Sequence, residues 1–269
     1  MAAERRELDE LREEMVRLDE QLIATLDKRA RASRQLRELR KEQPPSLPLT
    51  NQARIGDLVA RSAGDMPRES LAVIIREVYA ACLTLELPLA VACAGPDGGP
   101  DQAAALRRFG SGTNLVAADS AALALEAVSR RHAEFAVIPW ETATGGPVHP
   151  TILALSSTDL RVAEVLESDH VRYAVVGTRP SGRTASDVTA IVFSAQDSPG
   201  SLLDVLRVFA ERGVNLTNVL SHPVEGKPWT YLFYVEMIGH FTDRALVTAF
   251  EEMKRLTRFF KLLGSYPAP

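Results

Sequence analysis

The sequence lacks the features of a secreted, metal-binding or membrane protein. It has only two cysteines in 269 residues, Cys82 and Cys93, both in apolar segments without metal-ligand spacing. We expect both to be buried free thiols in a reducing cytoplasm, and we expect no metal and no cofactor. The chain is charged from Glu4 onward, unlike a signal peptide, and no apolar run is long enough to span a membrane. We therefore expect a cytoplasmic protein without a membrane partner.

The sequence also has little net charge. Its formal charge is −4, which gives no reason to expect a nucleic-acid-binding protein. Hydrophobic residues make up 46% of the chain and charged residues 25%, which are ordinary proportions for a globular protein. A chain of this length can hold two or three small domains.

Glycine and proline are absent from residue 4 to residue 41, and this predicts one long helix. Apolar residues three and four apart form a stripe along its first half: Leu8, Leu11, Met15, Leu18 and Leu22. At 1.5 Å per residue the helix would be roughly 55 Å long, too long for the following short helices to cover. We therefore expect a homodimer in which a second copy covers the stripe. Pro44, Pro45 and Pro48 end the helix.

Two shorter helical patterns follow, and the series long, short, medium resembles the all-helical, domain-entwined chorismate mutases. The resemblance rests on LREE at 11–14, LDE at 18–20 and DKRA at 27–30. It implies a site for chorismate or prephenate, carried over to Arg12, Arg29, Arg40, Cys82 and Glu86. A pericyclic rearrangement needs no nucleophile, only a folded substrate and donors aimed at the charge that builds on the ether oxygen.

Helix geometry and the family's pattern both bear on this site. Arg29 and Arg40 lie within about 20° of one helix face, whereas Arg12 and Arg29 differ by about 100°, so Arg12 should not share a site with Arg29 of its own chain. The resemblance implies that Arg12 reaches the partner's site instead. Arg40 replaces the family's lysine, Cys82 a serine and Glu86 a glutamine. Because a glutamate donates a hydrogen bond only when protonated, any mutase activity should favour low pH. The alternative for the basic half of the helix is a solvated face, or one that docks a protein or RNA, although the net charge argues against RNA.

From Leu89 strands and helices alternate, with GPDGGP at 95–100, ETATGG at 141–146 and Val171-Arg172-Tyr173 on a late strand. These motifs resemble the first lobe of the prephenate dehydratases, a family whose substrate lies between two lobes. Val171 stands where the family has the threonine of the acid role. The ETATGG motif lies in a predicted loop at 139–146. Only about twenty residues separate this loop from the late strand, so we expect the second lobe to be absent. Dehydratase activity is not expected, because the reaction needs a positioned acid and an enclosed cleft.

The C-terminal third predicts the order βαββαβ. Its first helix has Ser198 as N-cap, Pro199 at the first helical position and Gly213 at its end. The pattern resembles an ACT domain, a regulatory module that binds amino acids, and specifically that of the prephenate dehydratases, with PGSL at 199–202 and LSHP at 220–223. The resemblance implies a site for an aromatic amino acid at Gly200, Ser201, Leu202, Asn215, Ser221 and His222. There the helix start would receive the carboxylate and Asn215 the amino group. The alternative is a purely structural, dimerising module.

The order mutase, dehydratase, ACT is that of the bifunctional P-proteins of phenylalanine biosynthesis. The predicted fold is a multidomain α and α/β chain, with a helical mutase-like domain at 1–88, a one-lobe dehydratase-like α/β domain at 89–180 and an ACT domain at 181–269. The first hypothesis is a regulatory or binding protein of the phenylalanine branch, dimeric through its first helix and ACT domain, with the dehydratase site lost and the mutase site degraded. The second is an active chorismate mutase that uses Arg12, Arg29, Arg40 and Glu86, with feedback by phenylalanine.

Overall fold

The computed structural model describes residues 2–39, 50–86, 89–196, 198–223 and 231–268. By their contacts these residues form two compact units. The helical unit contains the first three helices and the segment Phe109–Gly112, and the α/β unit contains the remainder of the chain from Leu89 onward. The division into three domains at 88 and 180 stays a prediction. The three prolines expected to end the first helix lie outside the described residues.

The helical unit consists of α1 (Ala2–Leu39), α2 (Thr50–Ala60) and α3 (Arg68–Glu86). α1 is one uninterrupted helix of 38 residues, as the absence of glycine and proline predicts. α3 packs against it and buries Ser33 of α1 together with Cys82 and Leu83. The apolar stripe of α1 has no such cover within the described residues, because each of its members is more than half exposed: Leu8, Leu11, Met15, Leu18 and Leu22.

The first part of the α/β unit consists of β1 (Ala90–Ala94), α4 (Pro100–Phe109), β2 (Asn114–Ala118), α5 (Ala121–Ser129), β3 (Phe135–Thr142), β4 (Gly146–Pro147), α6 (His149–Ser156), β5 (Arg161–Ser168) and β6 (Val171–Gly177). The second part consists of β7 (Asp187–Ala195), α7 (Ser201–Ala210), β8 (Leu216–Pro223), β9 (Tyr231–Ile238), α8 (Arg244–Leu256) and β10 (Thr257–Pro267). The predicted βαββαβ order is therefore present.

All but one of these strands follow each other in a single sheet, in the order β2-β1-β3-β6-β5-β10-β7-β9-β8, and β4 pairs with β3 at one side. β1 pairs in parallel with β2 and β3, as expected where helices cross between strands. From β10 to β8 the pairing is antiparallel. The junction between the two parts is the parallel pair of β5 and β10, which meet where Gly264 lies opposite Val162.

The sheet curls so strongly that distant strands face each other. β3 and β9 are five strand positions apart, which in a flat sheet would be about 24 Å. Trp140 of β3 nevertheless contacts Tyr234 of β9, with ring centroids 5.9 Å apart and the rings nearly perpendicular. One buried cluster fills the inside of the curl beneath α5 and α6, and another lies under α7 and α8 on the outer face. Side chains on the concave face of the sheet therefore form part of the core. Any cavity inside the curl is lined by residues of the same face.

Two local predictions were wrong. α7 begins at Ser201, not at Pro199, because Gly200 has φ +86° and caps the helix in the left-handed conformation, which a helical residue cannot have. The segment 139–146, predicted as a loop, is largely strand, since β3 continues to Thr142. A register shift between Pro139 and Glu141 accommodates the proline, and pairing with β6 resumes after it.

Candidate functional sites

Arg29 of α1 is held against α3. Its guanidinium lies 4.2 Å from the centroid of the Tyr79 ring, a cation–π distance, and its Nη1 donates to the Val78 carbonyl oxygen at 3.4 Å. Ser33, one turn further along α1, donates from Oγ to Glu86 Oε1 at 2.9 Å. Arg29 and Glu86 thus both lie between α1 and α3, where the sequence predicted substrate-binding groups.

The other predicted mutase residues are placed differently. Cys82 is buried on α3 and only 5% exposed, so it is part of the core. Arg12 lies on the exposed half of α1, where its Nη1 bonds Asp9 Oδ1 at 3.2 Å. It does not join Arg29 within this chain's helical contacts. Arg40 lies outside the described residues.

The two dehydratase-like segments that end β3 and begin β6 meet side by side. Glu141 pairs with Arg172 across the two strands, with Oε2 and Nη1 2.8 Å apart. They line a cavity of about 290 Å³ together with Thr142, Ala143, Gly146, Glu167 and His170. The cavity is open to solvent, and the only cation–carboxylate contacts of Arg172 among the described residues are with Glu141 and, at 3.9 Å, Glu167.

The chain between the two segments that line this cavity is short. From Ala143 to His170 every residue is described, and the chain passes only through β4, α6 and β5. β5 then returns directly into β6 through a turn in which Asp169 and His170 have φ +51° and +65°. Two consecutive left-handed residues are typical of a tight two-residue hairpin. The described chain between the two segments is therefore short, and the absence of the family's second lobe stays a prediction.

The other dehydratase-like motif, at 95–100, forms a compact turn before α4. Gln102 donates to Asp97 Oδ1 at 3.0 Å and accepts from the Gly98 amide at 2.9 Å. Behind the turn, burial raises the pKa of Asp101 to about 6. Burial, and then the nearby Asp101 charge, raises the pKa of the Cys93 thiol to about 12. Cys93 is consequently an unreactive core thiol.

The predicted amino-acid site of the βαββαβ segment is only partly assembled. Gly200 and Ser201 begin α7, and Ser201 Oγ donates to the Gln196 carbonyl oxygen at 2.6 Å. Leu202 packs on the core under α7 and α8. The Asn215 carbonyl oxygen accepts from the Ile238 amide, which joins this residue to β9.

The last two predicted residues are consecutive on β8 and face opposite ways. Ser221 pairs with Phe233, on the helix-covered face, and His222 pairs with Leu232, on the concave face. There His222 contacts His149, with ring centroids 4.4 Å apart. His222 thus lies on the face of β8 opposite to Ser221, and its place in the amino-acid site stays a prediction.

A polar cluster on the concave face was not predicted from the sequence. Glu236 Oε1 accepts hydrogen bonds from Tyr234 at 2.5 Å and from Tyr266 at 2.8 Å. It borders a second cavity, of about 270 Å³, with Trp140 and Arg172. The one indication in the sequence was that Tyr234 and Glu236 are two residues apart on one strand, so that their side chains lie on the same face of the sheet. Nothing in the sequence indicates that this face meets β3.

Comparisons with known proteins agree with the two resemblances of the α/β unit. Residues 91–193 match the family model for prephenate dehydratase, and residues 189–255 match that for the ACT domain. A bifunctional chorismate mutase/prephenate dehydratase of Aquifex aeolicus is 25% identical over 354 residues, covering 97% of this chain and 98% of that protein. Within the described residues no helix is long and apolar enough to cross a membrane.

Solved structures show the same fold. The X-ray structure of prephenate dehydratase from Streptococcus mutans has a TM-score of 0.58 at 24% identity, covering 66% of this chain and 97% of that one. A structure titled "GqqA- a novel type of quorum quenching acylases" has a TM-score of 0.57 at 25% identity, covering 67% and 95%. The predicted resemblance to bifunctional chorismate mutase/prephenate dehydratases is confirmed.

Proposed function

We propose that this chain, which is P-protein-like along nearly its whole length, serves the phenylalanine branch of aromatic amino-acid biosynthesis as a dimeric binding or regulatory protein and does not dehydrate prephenate. The main observation behind this proposal is the path of the chain from Ala143 to His170. It passes through one short helix and a tight hairpin, whereas the prephenate dehydratases have a second lobe at this point. A substrate bound against a single wall would remain exposed to water.

The chemistry of the remaining wall supports the same conclusion. Expelling hydroxide and carbon dioxide together requires an acid near the leaving hydroxyl and a site that excludes water. Val171 and Ala143 offer no proton, and Arg172 is already neutralised by Glu141 at 2.8 Å. The wall therefore retains the Glu141–Arg172 ion pair, with Glu167 and His170 also lining the cavity, but it has no hydroxyl at position 171.

The alignment with the Aquifex aeolicus protein supports the shortening independently. It extends over 354 residues, and this chain has 269, so at least 85 positions of the alignment have no residue of this chain. The ends of both proteins are covered. The missing positions must therefore be internal, as the direct passage from β3 to β6 requires.

The exposed stripe of α1 supports assembly into a dimer. Its five apolar residues follow the three-and-four spacing of helices that pack along their length. Each is more than half exposed in a single chain, and burial of such side chains contributes about 1.5–3 kcal/mol apiece. A second copy of α1 offers the same stripe, which suits a two-fold contact.

The decisive experiment is incubation of the purified chain with prephenate, with phenylpyruvate followed by absorbance in base. We expect no turnover above the uncatalysed rate, with an active bifunctional relative as positive control. Enzymatic formation of phenylpyruvate would overturn the proposal. Sedimentation of the same sample tests the dimer.

The second candidate is a working chorismate mutase. It is favoured by the position of Arg29, fixed by Tyr79 and the Val78 carbonyl oxygen, near the Ser33–Glu86 pair between α1 and α3. Loss of chorismate absorbance would be measured from pH 5 to pH 8 for the natural chain and Arg29→Ala, with Arg37→Ala as control. Activity that Arg29→Ala abolishes would support this candidate, and no activity at any pH would end it.

A further inference from the structure

A cavity of about 270 Å³ lies on the concave face of the curled sheet, apart from the start of α7. Its walls come from strands at both ends of the curl. Trp140 and Arg172 belong to β3 and β6, and Asn218, Glu236 and Tyr266 belong to β8, β9 and β10. The mouth of a curled sheet is a common position for small-molecule sites.

The floor of this cavity is a carboxylate whose two oxygens differ. Oε1 of Glu236 accepts from both Tyr234 and Tyr266. Burial, together with the adjacent Glu236 charge, raises the pKa of both tyrosines well above its usual value, so they remain hydrogen-bond donors at physiological pH. Within the described residues no hydrogen bond reaches Oε2. Glu236 is thus anchored as a charged acceptor with one oxygen available.

The charges around the cavity do not balance. Arg172 pairs with Glu141, so these two groups cancel. Among the described residues no ion pair is formed by Glu236. A carboxylate that is half-buried and without a cation favours a ligand that brings one.

The aromatic walls define the remainder of the ligand. Trp140 and Tyr266 are almost wholly buried, and both line the cavity. Aromatic rings attract an organic cation by their faces and receive an apolar body beside it. We propose that this cavity binds a small organic molecule that carries a primary ammonium on an apolar or aromatic body, with the ammonium donating to Glu236.

The competing interpretation is that the Tyr234–Glu236–Tyr266 cluster only ties β9 to β10. Glu236→Gln distinguishes this structural role from ligand binding, because the glutamine carbonyl oxygen can still accept from both tyrosines while the negative charge disappears. A purely structural cluster would show the same ligand titration before and after this change. An ammonium site would lose its ligand and keep its fold.

The test is isothermal calorimetry of the full chain with three probes of one shape: phenethylamine, 2-phenylethanol and 3-phenylpropanoate. Only phenethylamine is expected to bind, and Glu236→Gln should weaken it about tenfold or more, with an unchanged melting temperature. Glu211→Gln, an exposed carboxylate at the end of α7, is the matched control and should bind like the natural chain. Phenethylamine has no carboxylate for the α7 start, so the result is independent of amino-acid binding there.

A second variant tests the proposal in case Glu236→Gln does not fold. Thr217→Phe places a bulky ring at the exposed rim of the cavity on β8 and leaves every hydrogen bond of Glu236 intact. It should also weaken phenethylamine. The proposal is overturned if the natural chain does not bind phenethylamine, if 2-phenylethanol binds equally well, or if Glu236→Gln binds like the natural chain.

Discussion

The buried carboxyl of Asp101 should make the α/β unit less stable at neutral pH than in mild acid. Asp101 is the second residue of α4 and only 8% exposed, and burial raises its pKa from 3.8 to about 6. The folded chain then holds a proton that the unfolded chain has released. Stability is therefore greatest below pH 4, falls as the pH rises to about 6, and is constant above that with respect to this group.

The magnitude follows from the shift. About two pKa units correspond to about 3 kcal/mol at pH 7. This is an upper bound, because relaxation and water entry reduce the cost of a buried charge. Asp101→Asn keeps the shape and removes the ionisation. We expect it to stabilise the chain by up to about 3 kcal/mol at pH 7.5 and by almost nothing at pH 4.

Urea unfolding at pH 4, 6 and 7.5, followed by tryptophan fluorescence, measures this difference, because Trp140 is buried in the same unit. Asp119→Asn is the control, since Asp119 is an exposed aspartate on the loop before α5. A gain for Asp101→Asn that is equal at all three pH values, or absent at pH 7.5, would refute the reasoning.

Three further predictions concern contacts. Gly264→Ala should lower the free energy of unfolding by about 1–3 kcal/mol, because the new Cβ would collide with the Val162 backbone at the β5–β10 junction. Gly182→Ala is the control: a Cβ there would meet open space, and it should be neutral in the same urea assay. In an Asp101→Asn background, which removes the opposing Asp101 titration, acidification from pH 7 to pH 5 should lower the melting temperature. Burial, and then His222, lowers the pKa of His149, so the unfolded ring takes up its proton at a higher pH than the folded ring and stability falls as the pH drops. His222→Gln should flatten this curve in part, and an unchanged slope would contradict the contribution of His222. Leu18→Glu should shift a dimer toward monomer in sedimentation, whereas Glu14→Gln should not, and an unaltered dimer would exclude the α1 stripe as its contact.

Local elements of this fold follow from the sequence better than its long-range pairings. α1 was predictable because no residue from 4 to 41 interrupts helical geometry. The start of α7 was not, because Ser198-Pro199 is a good N-terminal signal and the competing conformation of Gly200 has no sequence marker beyond the glycine itself. Because successive side chains point to opposite faces of a strand, Ser221 and His222 lie on opposite faces once β8 is known to include both.

The site around Glu236 could not be predicted for a different reason. Its residues are distributed from position 140 to position 266 and meet only because the sheet curls. The curl depends on which edge strands pair, and the β5–β10 pair joins residues about a hundred positions apart. Long-range pairing leaves no periodic trace in a sequence, so composition and spacing cannot reveal it.

The β5–β10 junction connects the two parts of the α/β unit. β5 pairs with β6 on one side, and without β10 its other edge would be open, with unpaired backbone groups and a tendency to associate. β10 covers that edge through Gly264, whose lack of a side chain permits the close approach to Val162. The same pairing brings β9 round to face β3 and creates the cavity at Glu236. Covering the open edge of β5 therefore also forms this cavity, whose residues come from both parts of the α/β unit.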